Sequence, residues 1–119
     1  MTKALIISCS GASNTGTLAD RVAREIVMDR SEGVEMLCLP ALALGRKNAM
    51  NKVQNAQKIL VIDGCQAHCA KQILEKAGVD PDACFEISKD FNVKKKMIPE
   101  TDDETVAEIK SRILQWLRE

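Results

Sequence analysis

The 119-residue chain has no tyrosine, one tryptophan (Trp116), two phenylalanines (Phe85 and Phe91) and one histidine (His68). With so few aromatic side chains there is no platform on which bases could stack, which argues against single-stranded nucleic acid as a partner. A charge excess is lacking as well. The 17 basic residues balance 17 acidic ones, whereas docking on nucleic acid or an anionic membrane surface needs a basic surplus. The one basic run, Lys94-Lys95-Lys96, reads as a solvated patch. No apolar run is long enough for a spanning helix or a secretory core, since Ala4-Leu5-Ile6-Ile7 is short and leads directly into Cys9. These absences predict a cytoplasmic protein that works on neither nucleic acid nor membrane. Repeats, low-complexity tracts and linkers are missing too. The chain reads as one domain over residues 1–119, large enough to fold without a metal or disulfide as its scaffold.

Strand-like and helix-like patterns alternate along this domain. Strands are expected at 3–8, 34–39, 58–63 and 84–87, the third being the most continuous and β-branched, as burial on both faces demands. Between them, helices are expected at 15–30 (Leu18, Val22, Ile26 inward), 47–57 (Met50, Val53) and 66–77 (Ala70, Ile73, Leu74, Ala77). Gly78 supplies a left-handed stop for the last of these. Residues 41–45 read as a turn of helix or an irregular connection, and 88–99 as a loop. A final helix opens on Thr101-Asp102-Asp103-Glu104, a capping box with Thr101 as cap, and buries Val106, Ile109, Ile113 and Leu117. Such alternation implies right-handed crossovers and a mostly parallel four-stranded sheet in a three-layer α/β/α sandwich, flavodoxin- or Rossmann-like, with strand order 2-1-3-4.

Cysteine is the one chemically pointed residue present in number. There are five, and in a reducing compartment they are thiols or metal ligands rather than disulfides. Cys9, Cys38 and Cys65 each lie at or just after the end of an expected strand, and Cys69 follows Cys65 by four residues. Parallel strands deliver their carboxyl ends to one edge, where open α/β folds build their sites. Neighbouring strand ends are about 4.8 Å apart, so three span roughly 10 Å. Tetrahedral zinc, with bonds of about 2.3 Å to sulfur, needs the connecting loops to curl inward. Gly11 and Gly64 permit that. On a helix starting near residue 66, Cys65 and Cys69 would share a face, with the helix dipole favouring thiolates. The same cysteines also read as small apolar residues of a core, Cys38 in particular. Cys84, at the opposite edge, reads as a buried inert thiol. His68 is a candidate substitute ligand or a surface residue of the helix. Asp63 is expected to accept backbone amides or to support a ligand.

The loop Ser10-Gly11-Ala12-Ser13-Asn14-Thr15-Gly16-Thr17 invites comparison with phosphate-binding loops and fails it. A Walker motif needs Lys where Thr17 stands, and a C-x5-R phosphatase loop needs Arg where Thr15 stands. Helix capping by Ser13, Asn14 or Thr15 explains the same residues.

Cys9-Ser10-Gly11-Ala12-Ser13-Asn14-Thr15-Gly16 with Leu18-Ala19, Cys38-Leu39, and Ile62-Asp63-Gly64-Cys65 followed by Cys69-Ala70 together resemble the DGC-domain family, small prokaryotic proteins described as zinc-binding. The resemblance runs from residue 3 to about 78. It implies four cysteine ligands, Cys9, Cys38, Cys65 and Cys69. Family members often carry Pro after the central Cys, where this chain has Gln66. The family brings no defined reaction with it. The expectation is therefore a zinc-binding protein whose metal ion is structural, sensory or carried, since four thiolates leave zinc no open position. Two alternatives share these residues: a thiol redox enzyme using Cys65 and Cys69, and an iron–sulfur protein.

Overall fold

The computed structural model describes residues 3–119. Strands β1 (Ala4–Ser8), β2 (Val34–Met36), β3 (Ile59–Asp63) and β4 (Ala83–Glu86) form one sheet. All three pairings are parallel and the order is β2-β1-β3-β4, the predicted arrangement. β1 and β3 lie in the middle, in register from Leu5↔Ile59 to Ser8↔Ile62, and every residue of both is buried. Burial on both faces explains why their sequences run continuously apolar instead of alternating.

Helices α1 (Asn14–Met28), α2 (Leu39–Ala43), α3 (Lys47–Asn55), α4 (Cys69–Lys76), α5 (Ile87–Asp90) and α6 (Asp103–Leu117) cover the sheet. On one face Ala4, Ile6, Leu60 and Ile62 meet Leu18, Val22 and Ile26 of α1 and Ile109 and Ile113 of α6. On the other, Leu5, Ile7, Ile59 and Val61 meet Leu42, Val53, Ala70 and Leu74 from α2, α3 and α4. This is the expected three-layer sandwich.

The element ends depart from expectation for local reasons. β2 stops at Met36 rather than 39, because Leu39 and Pro40 already form the first turn of α2, where proline's fixed φ suits a helix start. α1 ends at Met28, and Arg30–Glu32 form a separate 3-10 turn closed by Gly33 at φ 66°. Ile87, predicted to end a strand, opens α5 inside the stretch read largely as loop. The cap of α6 is Asp102, not Thr101. The Asp102 carboxylate accepts from the Thr105 amide at 2.9 Å and from its hydroxyl at 2.7 Å, whereas Thr101 Oγ1 accepts from Arg21 Nη1 at 3.0 Å. An ionised carboxylate one residue further on outcompetes the hydroxyl for the first-turn amides.

Candidate functional site

Cys9, Cys38, Cys65 and Cys69 all lie at the carboxyl edge of the sheet, and none is in a disulfide. Cys9 follows β1 and extends its ladder, its amide donating to Ile62 O at 3.0 Å, while its side chain packs on the face that α2, α3 and α4 cover. Cys38 caps α2 without a side-chain hydrogen bond and is exposed. Cys69 is the first residue of α4, also exposed, and α2 packs against α4. Cys65 is half-buried in the turn between β3 and α4, and Lys95 Nζ donates to its Sγ at 3.5 Å. The sulfurs share an edge but are not gathered: among the described residues, no three His, Cys, Asp or Glu side chains are grouped so as to hold a metal ion.

The expected shared helical face of Cys65 and Cys69 is corrected, because α4 begins at Cys69 and not near residue 66. Its start is set by a residue outside the helix. Asp63, at the end of β3, accepts from the amides of Ala70 at 2.9 Å and Lys71 at 3.1 Å, satisfying two donors of the first turn. Residues 64–68 must then bridge the gap as a turn, closed by the His68 amide donating to Cys65 O at 3.1 Å. Burial raises the Asp63 pKa above its ordinary value, and the two amide bonds oppose that without cancelling it.

His68 does not lie on the helix surface as expected. It precedes the helix in the left-handed region at φ 50°, uncommon for a residue with a Cβ. A bond from Nε2 to Glu86 Oε1 at 2.8 Å ties it to β4. Glu86 also accepts from Ser88 Oγ at 2.7 Å; this bond first, and then His68, hold its carboxyl below the usual range. Cys84 is exposed rather than buried. β4 is an edge strand, so Cys84, in register with Val61, has no neighbouring strand on its outer side. Partial desolvation nevertheless raises its thiol pKa.

The loop after β1 is tied down by its own chain. Ser13 Oγ caps α1 by accepting from Gly16 N at 3.1 Å, the Thr17 amide donates to Ser13 O, and the Asn14 amide donates to Lys96 O. Those first-turn amides are committed, which accounts for the loop without an anion. Its glycines serve close backbone approach. A Cβ on Gly64 would stand 2.6 Å from Gly16 N, and one on Gly16 would stand 2.8 Å from Gly11 Cα. The loops bearing Cys9 and Cys65 are thereby pressed together. Sequence reasoning missed Lys95 and Glu86: a lysine in a run and a glutamate at a strand end carry no local signal of a partner 30 or 18 residues away.

Fold and edge together define a small parallel α/β/α domain whose carboxyl edge carries four unbridged thiols. The chain belongs to the DGC-domain family, whose model matches residues 5–113. It is also 32% identical over 77 residues to the anaerobic and virulence modulator AnvM of Pseudomonas aeruginosa, a match covering 65% of this chain and 57% of that protein. The chain thus aligns with little more than half the length of that relative. No solved structure matches it. No helix among the described residues is long and apolar enough to cross a membrane.

Proposed function

We propose that this protein binds one zinc ion through Cys9, Cys38, Cys65 and Cys69 and uses the site in a sensory or regulatory role. The observation that carries the reading is the position of all four thiols, free of disulfides, on one edge of a parallel sheet. Their chemistry fits the ion: cysteine sulfur is the usual donor of closed structural zinc sites. Their spread means that uptake requires the connections after β1, β2 and β3 to draw in. Cys38 and Cys69 head two helices that touch, and Cys9 packs on the same face of the sheet, whereas Cys65 would have to leave its contact with Lys95 to join them. When bound, the ion would cross-link three loops otherwise joined by hydrogen bonds and packing, and would leave itself no open position for substrate. A closed site of that kind suits a switch better than a reaction. The name of the relative, a modulator linked to anaerobic conditions, agrees with a role in which thiols answer to their surroundings.

Thiol titration with and without a chelator tests this reading. Zinc protects four thiols that become reactive together once the chelator removes it, while Cys84 reacts independently. A single fast thiol, indifferent to chelator, would point instead to redox chemistry at Cys65 and Cys69. Visible absorption in anaerobically purified protein would point to an iron–sulfur cluster on the same residues.

A further inference from the structure

The lysine run is not simply a solvated patch. Asn14, buried at the head of α1, grips the chain on both sides of Lys95. Its Nδ2 donates to Lys94 O at 2.9 Å, its Oδ1 accepts from Lys96 N at 2.6 Å, and its own amide donates to Lys96 O at 3.0 Å. Three bonds to one buried residue fix the backbone of Lys95 over the turn that carries Cys65. Its ammonium then stands 3.5 Å from Cys65 Sγ. Both line a surface cleft of about 580 Å³, together with Gln66, Ala67 and Ser88. Lys95 is the one charged residue of these five, and among the described residues it has no carboxylate partner. Glu86, which Ser88 touches, has its oxygens engaged by His68 and Ser88.

A thiol beside an exposed lysine whose backbone is anchored, in a cleft of single positive charge, suits a small thiol-reactive molecule that is itself anionic. We propose that in the metal-free protein Cys65 captures low-molecular-weight disulfides bearing a carboxylate, and that Lys95 selects for that charge. The step is thiol–disulfide exchange. The Cys65 thiol gives its proton to solvent and its sulfur attacks one sulfur of R–S–S–R. A Cys65–S–S–R bond forms as the original S–S bond breaks, and the released R–S⁻ carries away the electron pair. The oxidation of the Cys65 sulfur is balanced by reduction of the leaving sulfur, so no further oxidant is needed. The carboxylate of the retained half lies toward Lys95. This inference stands apart from zinc binding, because it concerns the thiol when no metal occupies it.

The test uses full-length protein held metal-free by a chelator, as wild type, Lys95→Met and Lys95→Arg. Each reacts with the disulfide of thionitrobenzoate, which carries a carboxylate on each half, and with the neutral disulfide of thiopyridine. Rates at Cys65 are read by quenching the reaction at intervals and quantifying the Cys65 adduct by peptide mass spectrometry, which separates it from adducts at the other four free cysteines. Taking the ratio of the two rates cancels any change in the intrinsic reactivity of the thiol. That ratio is expected to fall about fivefold in Lys95→Met, the effect of one unit charge a few ångströms away in a water-like setting, and to recover in Lys95→Arg. An unchanged ratio in Lys95→Met overturns the proposal. So does a Cys65 that forms no mixed disulfide while the other free cysteines do, or a Cys65–Cys69 disulfide in its place.

Discussion

Asp63 stands between two opposing influences that decide the geometry of the whole cysteine edge. Burial disfavours its charge, while the Ala70 and Lys71 amides favour it, and the burial wins. A folded-state pKa above the unfolded one means that the neutral form's contribution is complete below the ordinary aspartate value and is lost as pH rises through the folded value. Wild-type stability, compared with Asp63→Asn, is therefore expected to decline as pH rises upward from about pH 4. Urea midpoints of the two proteins measured across that range check this, and parallel curves would contradict it. The role of Asp63 in accepting amides was legible in the sequence, because a carboxylate at the end of a buried strand must find donors nearby. Which amides it takes was not, since that depends on where α4 begins. Gly64 was legible only as a permissive turn residue. Its close approach to Gly16 joins loops far apart in sequence and becomes visible only when both strands are side by side.

At the scale of elements, the apolar periodicity located every strand and each of the four longer helices, because burial of one stripe or of both faces imposes a pattern on the sequence itself. Helix termini were less legible, since they are set by competition among neighbouring polar side chains. α6 illustrates this. Thr101 fits a capping box, but Asp102 takes the amide of Thr105 and leaves Thr101 to Arg21. Replacing Asp102 with Ala is expected to lower the urea midpoint, as loss of a helix cap does, without altering the helix content of the folded state. Thr101→Ala, which removes only a contact to a partly exposed Arg21, should cost less. Equal losses in chemical denaturation would reverse that assignment. α4 makes the same point with a functional consequence. Its start at Cys69, rather than near residue 66, separates Cys65 from the helix and puts it in a turn held by Gly64, His68 and the Glu86 bond.

For the molecule as a whole, the core does not depend on the cysteine edge. Two apolar clusters fill the layers on either side of the sheet, and the radius of gyration of 13.3 Å is close to the roughly 13.5 Å expected of a packed domain of this length. A metal ion at the edge would therefore add to a fold that already stands, and not create it, unlike the small zinc modules that unfold without metal. The strand order was legible because short crossovers and right-handed βαβ units leave few alternatives. It brought Cys38, Cys9 and Cys65 to successive strand ends as expected. The distances between sulfurs were beyond the sequence, because they depend on loop conformations set by Asp63, Asn14 and the interlocked glycines. On the proposed reading, the closed zinc site is assembled by inward movement of the strand-end loops on a preformed sheet. Metal analysis of protein purified anaerobically without added metal, combined with X-ray absorption at the zinc edge, tests it most directly. One zinc per chain in a shell of four sulfurs at about 2.3 Å is expected; folded protein that holds no metal and keeps Cys9, Cys38, Cys65 and Cys69 as free thiols would contradict zinc binding.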